Sequence, residues 1–504
     1  MAREAGRPLR VALVVPDLAV PEWVAWTAGR IAADEECQLA AVVRAPGGGG
    51  GGGRAGRIRA AYDRLDASVF GAAPALRPAR LEPVASDGEV DVVVSFLPAG
   101  RRGWPGRPPR LGTWTLAPLD DGGPGGPPER ARDVGLRTPT ETALVAADGD
   151  GPVRIVDRCT SPADPLSVTR TRDAAAWAGA RLVLRALRRA ARDGGVPAGA
   201  EAAAGVRASG PAAIARHAAR TGVRGVAARG RGAWSREEWF IAVRARSADG
   251  RIVGPPRIVP NPPGRYLADP FVVEADGRHL VFCEDLDLAT GRGAISAFEL
   301  GRDGAMSPPQ RVLVRDHHLS YPFVFAHGGA VHMIPETGEA GRIELLTAVG
   351  LPGPWRLERV LIDGITAHDA TLHIADDGMC WLFASVVEGP ADPGVLHLFS
   401  APSVDAGWTP HPANPVVTDP GRSRPAGRLY RRDDALYHPA QDGSRRYGGA
   451  IVLNRVDLLT PTAYRETPAA RIDPDWLPGL VGTHTYTFDS RYQCLDGGRR
   501  VRRF

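Results

Sequence analysis

Acidic, basic and imidazole side chains recur in the second half of the chain, at the starts and ends of short apolar hairpins. The residues that open the hairpins are Asp269, Ser320 or Tyr321, His368 with Asp369, Arg424, and His484. The residues that end the second strands are Glu284 with Asp285, Glu336, Ser385, and Gln441 with Asp442. Carboxylates gathered with arginine and histidine suit the binding of sugar hydroxyls, and paired carboxyls suit glycosidic acid and base chemistry.

The first of these hairpins, residues 266–285, shows the pattern most fully. It reads YLADPFVVEADGRHLVFCED: an acid-Pro-aromatic start, a β-branched run, an Asp-Gly turn and a second apolar run that ends in acid. An Asp-Gly pair between two such runs is typical of a tight β-hairpin. The stretch therefore predicts two antiparallel strands, with Asp269 near the start of the first and Glu284 near the end of the second.

The same pattern recurs four more times along the chain. The copies begin at residues 269, 321, 369, 426 and 484, so successive starts are 52, 48, 57 and 58 residues apart. Further apolar segments follow the hairpins as third strands, namely AISAFEL, RIELLTA, VLHLFSA and GAIVLNRV, and shorter fourth segments come after them. Four strands per repeat at this spacing predict the blades of a β-propeller.

The last repeat has only two strands before the chain ends. Two strand-like segments, residues 237–245 and 251–259, precede the first hairpin and are expected to supply the missing pair. Such an exchange fastens the first part of the propeller to the last and leaves no open sheet edge. The sequence thus predicts an all-β, five-bladed propeller over residues 233–504, whose first strands line a central channel.

Residues 1–193 have a different pattern, in which strands and helices alternate. The predicted strands are residues 11–15, 38–44 and 90–96, and the predicted helices are residues 22–33, 58–65 and a long one within 167–195. Such alternation predicts a small, mostly parallel α/β sheet covered by helices.

Two stretches of this first part are expected to be connections. The seven glycines at 47–53 lack the GxGxxG spacing of a phosphate loop, so they predict an expanded surface loop. Residues 194–232 are rich in alanine, glycine and arginine and predict a linker with one short helix at 211–220.

Composition narrows the class of protein. The 504 residues are 43% hydrophobic with a net charge of +5, so a large core is expected and nucleic acid is not. The five cysteines are far apart and form no CxxC motif, which predicts neither disulfides nor a zinc site and favours a cytoplasmic location. No apolar run reaches the roughly 18 residues of a membrane span, while peripheral association with a membrane stays compatible with the sequence. No cofactor or metal is expected.

The first strand, the GTWTLAPLDDGGPGG segment at 112–126 and the long helix resemble a formyltransferase-like domain of bacterial proteins from surface-polysaccharide loci. Active members of that fold use an Asn, His, Asp set. The first histidine of this chain is His217, and Leu116, Ala117 and Pro118 stand where the family's histidine is expected. The resemblance therefore implies a degenerate domain that serves as a scaffold or binds a ligand, with live formyl transfer as the alternative.

A second resemblance covers the chain from about Trp234 onward. The phrases ADPFVVEADG, HLSYPFVF, IPETGEAGRIEL, WTPHPANPVV, RPAGRLY and DWLPGLVGTHT resemble a five-bladed propeller family related in shape to family 43 glycoside hydrolases. They are also similar to the N-terminal region of plant glucosamine inositolphosphorylceramide transferases. In the hydrolase pattern a general-base Asp opens the first blade, an Asp in the second blade adjusts pKa, and a later Glu is the acid.

That resemblance implies roles for individual residues. Asp269 matches the general base, whereas the second blade opens with Tyr321 instead of Asp, so Glu336 and Asp369 are the remaining candidates for the acid and the pKa-adjusting group. The residues expected to bind substrate are Glu284, Tyr321, Arg342, His368, Arg424, Asp442 and His484. The alternative for the set Glu336, Arg342 and Glu344 is a structural ion pair within the second blade.

Two functions stay open on the sequence alone. The first is a sugar-transferring or glycoside-processing enzyme of glycan or glycolipid assembly, with the sugar in the propeller channel. The second is a non-catalytic glycan-binding or scaffold protein, which the missing histidine and the incomplete acid set favour.

Overall fold

The computed structural model describes ten stretches of the chain, residues 7–46, 64–68, 73–85, 88–97, 103–118, 139–147, 153–164, 167–196, 234–389 and 392–502. The chain divides into two compact units. Unit 1 comprises residues 1–229 with 389–392, and unit 2 comprises residues 230–388 with 393–504. No helix among the described residues is long and apolar enough to cross a membrane.

Several predicted segments lie outside the described residues. They are the glycine run at 47–53, most of the predicted helix at 58–65, and the predicted linker from residue 197 onward with its short helix at 211–220.

Unit 1 is built on a six-stranded mixed sheet. The eight strands of unit 1 are β1 (Leu9–Val15), β2 (Ala19–Pro21), β3 (Cys37–Arg44), β4 (Pro78–Arg80), β5 (Val92–Ser95), β6 (Thr113–Pro118), β7 (Thr140–Ala147) and β8 (Arg154–Ser161). The sheet order is β3-β1-β5-β6-β7-β8, with β2 and β4 paired separately. The neighbours from β3 to β6 run parallel, and β7 and β8 run antiparallel to their neighbours.

Two helices pack on this sheet, α1 (Glu22–Ala32) and α2 (Val168–Asp193). Ser167 is the N-cap of α2 and accepts a hydrogen bond from the Arg170 N–H at 3.0 Å, and Gly194 ends the helix with φ 71°. The apolar stripe of α2, which includes Trp177 and Leu187, is buried against the strands. The alternation of apolar residues in the sequence therefore gives the helix one core-facing side.

Unit 2 is a five-bladed, all-β propeller. Blade 1 consists of β11 (Arg265–Ala275), β12 (Arg278–Asp287), β13 (Gly293–Leu300) and β14 (Gln310–Leu313). Blade 2 consists of β15 (Ser320–His327), β16 (Ala330–Glu336), β17 (Arg342–Ala348) and β18 (Trp355–Asp363). Blade 3 consists of β19 (Ala367–Ile374), β20 (Cys380–Val386), β21 (Val395–Ala401) and β22 (Thr409–Pro410).

The other two blades have an interrupted first strand. Blade 4 consists of β23 (Arg424–Pro425), β24 (Tyr430–Arg432), β25 (Ala435–Gln441), β26 (Ile451–Leu459) and β27 (Tyr464–Ile472). Blade 5 consists of β28 (Leu480–Gly482), β29 (Tyr486–Phe488), β30 (Tyr492–Arg502), β9 (Ser235–Arg246) and β10 (Ile252–Ile258). Strand β30 pairs with β9 along eleven residues, from Tyr492 with Ala245 to Arg502 with Ser235. Residues distant in sequence thus form one sheet.

The first strands of neighbouring blades contact one another around the centre of unit 2. Between blades 4 and 5 the contact includes a hydrogen bond from the Tyr486 N–H to the Ala426 carbonyl at 2.8 Å. The apolar side chains lie between the blades, in clusters that include Phe271, Phe323 and Phe383. We call the space lined by these first strands the propeller channel. Packed sheets surround it on every side.

Candidate functional site

The first strands of blades 1 to 3 share a kink at the same place. Asp269, Tyr321 and Asp369 have φ angles of 50°, 41° and 55°, and each lies where the pairing of the first and second strands shifts register. Positive φ is unusual for a residue with a Cβ and persists only where the surrounding structure holds it. A bulge at this point turns the side chain away from its regular strand direction, and here it brings residues of different blades into contact.

The residue before each kink faces a partner on the second strand. For the three kinks the pairs are Ala268 with Glu284, Ser320 with Glu336, and His368 with Ser385. In blade 4, which lacks this kink, Arg424 is paired with Gln441. In blade 5 the side chain of Asp496 occupies the matching place on β30, beside His484. One ring of polar side chains is thus contributed by all five blades.

The first network in this ring joins blade 1 to blade 5. Asp496 accepts hydrogen bonds from the backbone N–H groups of His484 (2.8 Å) and Thr485 (3.0 Å), and its other oxygen accepts one from His484 Nδ1. Asp269 accepts from the Thr485 hydroxyl at 2.7 Å and from the Tyr321 N–H at 3.3 Å. Both carboxylates are buried, so their oxygens are occupied by donors of the protein itself.

The charges of this network are strongly coupled. Burial would lower the pKa of His484, but the neighbouring charges of Asp496 and Asp269 outweigh it and raise that pKa to about 9. Burial raises the pKa of Asp269, and the charge of Asp496 adds to that effect. The raised pKa therefore favours the imidazolium form of the buried His484 at neutral pH.

The second network joins blades 2, 3 and 4. Arg424 donates from Nε to Asp369 Oδ2 at 2.6 Å and from a terminal nitrogen to Glu336 Oε2 at 3.3 Å. His368 Nδ1 lies 3.0 Å from Glu336 Oε1, and Gln441 donates to Asp369 at 2.7 Å. One arginine thus bridges two carboxylates from different blades.

These two carboxyl groups have opposite pKa shifts. Burial alone would raise the pKa of Glu336, but the hydrogen bond from His368 and the charge of Arg424 lower it to about 2. Burial raises the pKa of Asp369 well above its usual value, and the charge of Glu336 adds to the rise. Neighbouring groups with pKa values pushed apart are a common feature of acid and base sites.

The side chains of the second network differ in exposure. Asp369 is its buried part, and Glu336, His368 and Arg424 form its accessible rim. Asp369 has 2% of its side chain exposed, whereas Glu336 has 11%, Arg424 20% and His368 24%. Among the described residues, Nε2 of His368 has no hydrogen-bond partner. A ligand entering the channel would therefore meet Glu336, His368 and Arg424 before Asp369.

Glu284 and Tyr321 also line this region. Glu284 lies 3.3 Å from His318 Nε2, and its pKa is raised by burial, while the hydrogen bond to Glu284 raises the pKa of His318. The Tyr321 hydroxyl is fully buried, accepts from the Gly427 N–H at 2.7 Å and lies 2.8 Å from the Thr371 hydroxyl. Tyr321 of blade 2 thus forms hydrogen bonds with residues of blades 3 and 4.

Two of the predicted substrate-binding residues form their ion pairs and hydrogen bonds away from the two networks. Arg342 pairs with Glu344 at 2.6 Å within blade 2, and Asp442 pairs with Arg471 at 2.6 Å and caps the turn at Ser444. Neither forms a hydrogen bond with the two networks among the described residues. The Arg342–Glu344 pair matches the structural alternative considered from the sequence, and substrate contact by either residue stays a prediction.

Several residues of the site escaped sequence reasoning. Asp496 could have been found, because in the sequence it follows an apolar segment of the fifth repeat as Glu284 and Glu336 follow theirs. His318 and Thr485 are not part of the sequence pattern that the five repeats share. Tyr447, on the loop between β25 and β26, has its ring centroid 5.3 Å from the Arg424 guanidinium and no counterpart in the other hairpins.

One group of these residues has the donor set of a cation site. Asp269, His484 and Asp496 each offer one atom, and the three atoms lie within 4.8 Å of one another. Carboxylate oxygens and an imidazole nitrogen are suitable ligands for a divalent cation. The imidazolium form of His484 satisfies the same carboxylates, so a cation there would require His484 to lose its proton.

Comparison with known proteins shows similarity over part of unit 2. Residues 258–473 match the family "Glucosamine inositolphosphorylceramide transferase 1, N-terminal". The chain is 32% identical over 210 residues to glucosamine inositolphosphorylceramide transferase 1 of Arabidopsis thaliana, covering 40% of this chain and 27% of that protein. It is also 32% identical over 211 residues to the protein of that name in Oryza sativa subsp. japonica, covering 41% and 28%.

The chain spans about a quarter of the length of these curated relatives. The matched family segment contains blades 1 to 4, with Glu336, Asp369 and Arg424, and excludes His484 and Asp496. Among solved structures, an alpha-L-arabinofuranosidase from Clostridium thermocellum aligns with a TM-score of 0.34 at 12% identity, over 44% of this chain and 77% of that chain. A family 117 glycoside hydrolase from Zobellia galactanivorans aligns with a TM-score of 0.35 at 10% identity, over 53% and 91%.

Proposed function

We propose that this protein acts on a carbohydrate in glycan or glycolipid assembly and binds the sugar in the channel of unit 2. The support is chemical: the accessible rim offers a carboxylate, a planar guanidinium and an imidazole, which together suit vicinal hydroxyls. The name of the plant relatives, glucosamine inositolphosphorylceramide transferase 1, agrees with a sugar-transferring role.

The observation that carries a catalytic role is the contact between His368 and Glu336. Nδ1 of His368 lies 3.0 Å from a carboxylate that Arg424 holds on its other oxygen. A carboxylate bound to Nδ1 fixes the tautomer, so that Nε2 is the nitrogen free to accept a proton. In the proposed step Nε2 takes the proton of a sugar hydroxyl, whose oxygen forms the bond to the anomeric carbon of an activated glycosyl donor as the leaving group departs with its electron pair.

This assignment differs from the hydrolase pattern inferred from the sequence. That pattern requires Asp269, Glu336 and Asp369 to act on the substrate directly. Asp269 and Asp369 are each at most 3% exposed and have protein donors on their carboxylate oxygens. We therefore assign Asp269 and Asp369 to positioning, and Glu336 with His368 to the reaction.

The test is turnover on a panel of nucleotide sugars and oligosaccharides by the full chain. His368→Gln and Glu336→Gln are expected to lower turnover by about a hundredfold or more, because a positioned base contributes at least that factor. His327→Gln, on an exposed position of β15, serves as the matched histidine control. Asp269→Ala is included as well, since turnover equal to that of the wild type would contradict the positioning role of Asp269.

The second candidate function is glycan binding without chemistry. It is favoured by the occupied oxygens of Asp269 and Asp369, which leave the three-carboxylate set incomplete. Saturable sugar binding by the wild type, with no turnover of any panel member, would establish this function and exclude the catalytic one. Absence of both turnover and binding would contradict the proposed carbohydrate role.

For unit 1 we propose a formyltransferase-like domain that has lost its activity and serves as a scaffold or binds a ligand. The support is the run of parallel strands from β3 to β6 and the absence of histidine before His217 in the sequence. The alternative, live formyl transfer, predicts release of free folate from a formylated folate in the presence of an amino sugar. Detection of that product would overturn the proposal.

We further propose a cytoplasmic location, supported by the five cysteines, all buried and free. Peripheral membrane association is proposed as the way in which a glycolipid would be reached. Fractionation of cells that produce the full chain, with a salt wash of the membranes, tests both proposals. Recovery outside the cytoplasm and its membranes would contradict them.

A further inference from the structure

The aromatic ring of Tyr447 lies beside the accessible rim of the site and is not packed in the hydrophobic core. Tyr447 has 53% of its surface exposed, although it lies beside the charged networks. Its ring contacts Trp239 edge-on with centroids 6.3 Å apart and His484 edge-on with centroids 5.3 Å apart. Trp239 is itself stacked on His484 at 4.0 Å and buried. One edge of Tyr447 is thus supported while much of the ring stays open to solvent.

The loop that carries Tyr447 is closely fitted to this place. Gly448 has φ 58°, and a Cβ on it would lie 2.7 Å from the Trp239 ring and 3.1 Å from His484. Its carbonyl accepts the Thr483 N–H at 2.8 Å, which joins the loop to blade 5. A side chain at Gly448 would therefore displace the ring beside it.

Further contacts hold the two ends of the loop. The Asp442 N–H donates to the Ala450 carbonyl at 2.7 Å, and the Gly449 N–H donates to the Asp442 carbonyl at 3.1 Å. Arg446 binds Glu237 of β9 at 2.5 Å. A loop fixed at both ends and at its centre presents Tyr447 in one orientation, which lowers the entropic cost of binding a ligand.

The ring is joined to the rim of the site by Arg424. The guanidinium lies 5.3 Å from the ring centroid while its nitrogens bind Asp369 and Glu336. An apolar face and a set of fixed hydrogen-bonding groups therefore meet at the same opening.

We propose that Tyr447 is a stacking platform for one face of a saccharide ring whose hydroxyls bind Glu336, His368 and Arg424. This inference rests on the proposed carbohydrate function and adds the residue that selects the ligand by shape. A pyranose presents an apolar C–H face and equatorial hydroxyls at its edge, so it matches an exposed aromatic ring next to a carboxylate and a guanidinium. Sugars with an axial hydroxyl on the stacked face are expected to bind more weakly.

The experiment measures binding of methyl glycosides of glucose, galactose, mannose and glucosamine, and of myo-inositol 1-phosphate, to the full chain by calorimetry and saturation-transfer NMR. Tyr447→Ala is expected to weaken binding of the preferred ligand about tenfold, and Tyr447→Phe to stay within about twofold of wild type. In the NMR experiment, the C–H protons of one sugar face should receive the strongest transfer, and that contrast should vanish in Tyr447→Ala.

Two variants separate this inference from the proposed function. Trp234→Ala removes another exposed aromatic ring, 72% exposed, and is expected to bind as the wild type does. Arg424→Ala is expected to abolish binding. If Arg424→Ala loses binding while Tyr447→Ala keeps wild-type affinity, the platform is wrong and the carbohydrate function stands. If the wild type binds no member of the panel, both are overturned. Thermal melting of each variant checks that it is folded.

Discussion

Arg424 holds Asp369 by a hydrogen bond of 2.6 Å from Nε to Oδ2, across the boundary between blades 3 and 4. The same guanidinium reaches Glu336 of blade 2. Removing Asp369, Glu336 and Arg424 from water is costly, and their attraction offsets that cost only while all three are present. The arrangement of the carboxyl groups at the accessible rim therefore depends on Arg424.

Arg424→Met, which keeps the length of the side chain but removes its charge, is expected to destabilise unit 2 by about 3 kcal/mol, because it leaves two carboxyl groups buried without a cation. Adding Asp369→Asn should recover part of this loss, since one of the two uncompensated groups becomes neutral. The measurement is urea unfolding of the full chain for both single variants, the double variant and the wild type.

Arg356→Met provides the control for that experiment. Arg356 pairs with Glu358 at 2.7 Å on the surface of blade 2, where both side chains are exposed. Exposed pairs contribute little, so the change should stay below about 1 kcal/mol. A double variant as unstable as the sum of its two single variants would show that Arg424 and Asp369 do not stabilise each other.

The pH dependence of stability should report on His484. Its folded-state pKa of about 9 lies above the value near 6.5 expected in the unfolded chain, so the folded state binds the proton more tightly. The stabilisation by this proton, up to about 3 kcal/mol, is fully present below pH 6.5 and is lost as the pH rises through 9. His484→Gln should therefore lower the unfolding free energy more at pH 6 than at pH 9.5.

Urea unfolding at the two pH values gives this difference directly. His327→Gln, which changes an exposed histidine of β15, is the control and should show no such dependence. A loss for His484→Gln that is equal at both pH values would mean that folding does not shift the pKa of His484, so that the folded histidine is neutral above about pH 7. That result would also reopen the cluster of Asp269, His484 and Asp496 as a cation site.

The architecture of unit 2 could be predicted because its signals are local and repeated. Each hairpin carries alternating apolar residues and a turn, and the spacing of the copies reflects the size of one four-stranded blade. The five-bladed propeller is confirmed. In blade 4 the sequence predicted a first strand from residue 426, whereas the structure divides it into β23 and β24, because Gly427, at φ 134°, approaches Tyr486 too closely for a side chain.

The site was predicted less completely than the fold, for physical reasons. Asp269, Tyr321 and Asp369 share one kink, but the residues after them are Pro270, Pro322 and Ala370, so no common motif marks the positive φ. The kink is imposed by contacts between blades. Tyr447 depends in the same way on Trp239 and His484, which are distant in sequence. Contacts between residues that are distant in sequence are determined by tertiary packing, and the spacing of residues in one sequence does not reveal them.

Gly448→Ala should reduce both stability and sugar binding, because the new Cβ would lie 2.7 Å from the Trp239 ring at a left-handed backbone position. Gly479→Ala is the matched control: its φ is 84°, and nothing lies within 4 Å of the added Cβ. We expect about 1 kcal/mol of destabilisation at Gly479 and at least twice that at Gly448. Equal costs, measured by urea unfolding, would show that the Tyr447 loop tolerates a side chain.

Tyr321→Phe distinguishes a structural hydroxyl from one that binds substrate. The hydroxyl is fully buried and is the partner of the Gly427 N–H at 2.7 Å and of the Thr371 hydroxyl at 2.8 Å. Removing it leaves the buried Gly427 N–H without a partner, while the Thr371 hydroxyl keeps its hydrogen bond to the Asp369 carbonyl at 3.2 Å, so the change should cost about 1 to 3 kcal/mol of unfolding free energy. The affinity for the preferred sugar should change by less than about twofold, because a ligand bound at Glu336 and Arg424 does not reach this oxygen. Calorimetry and urea unfolding of the same preparation measure both quantities. Unchanged stability with weakened binding would instead assign Tyr321 to the ligand, as its position at the start of the second blade first suggested.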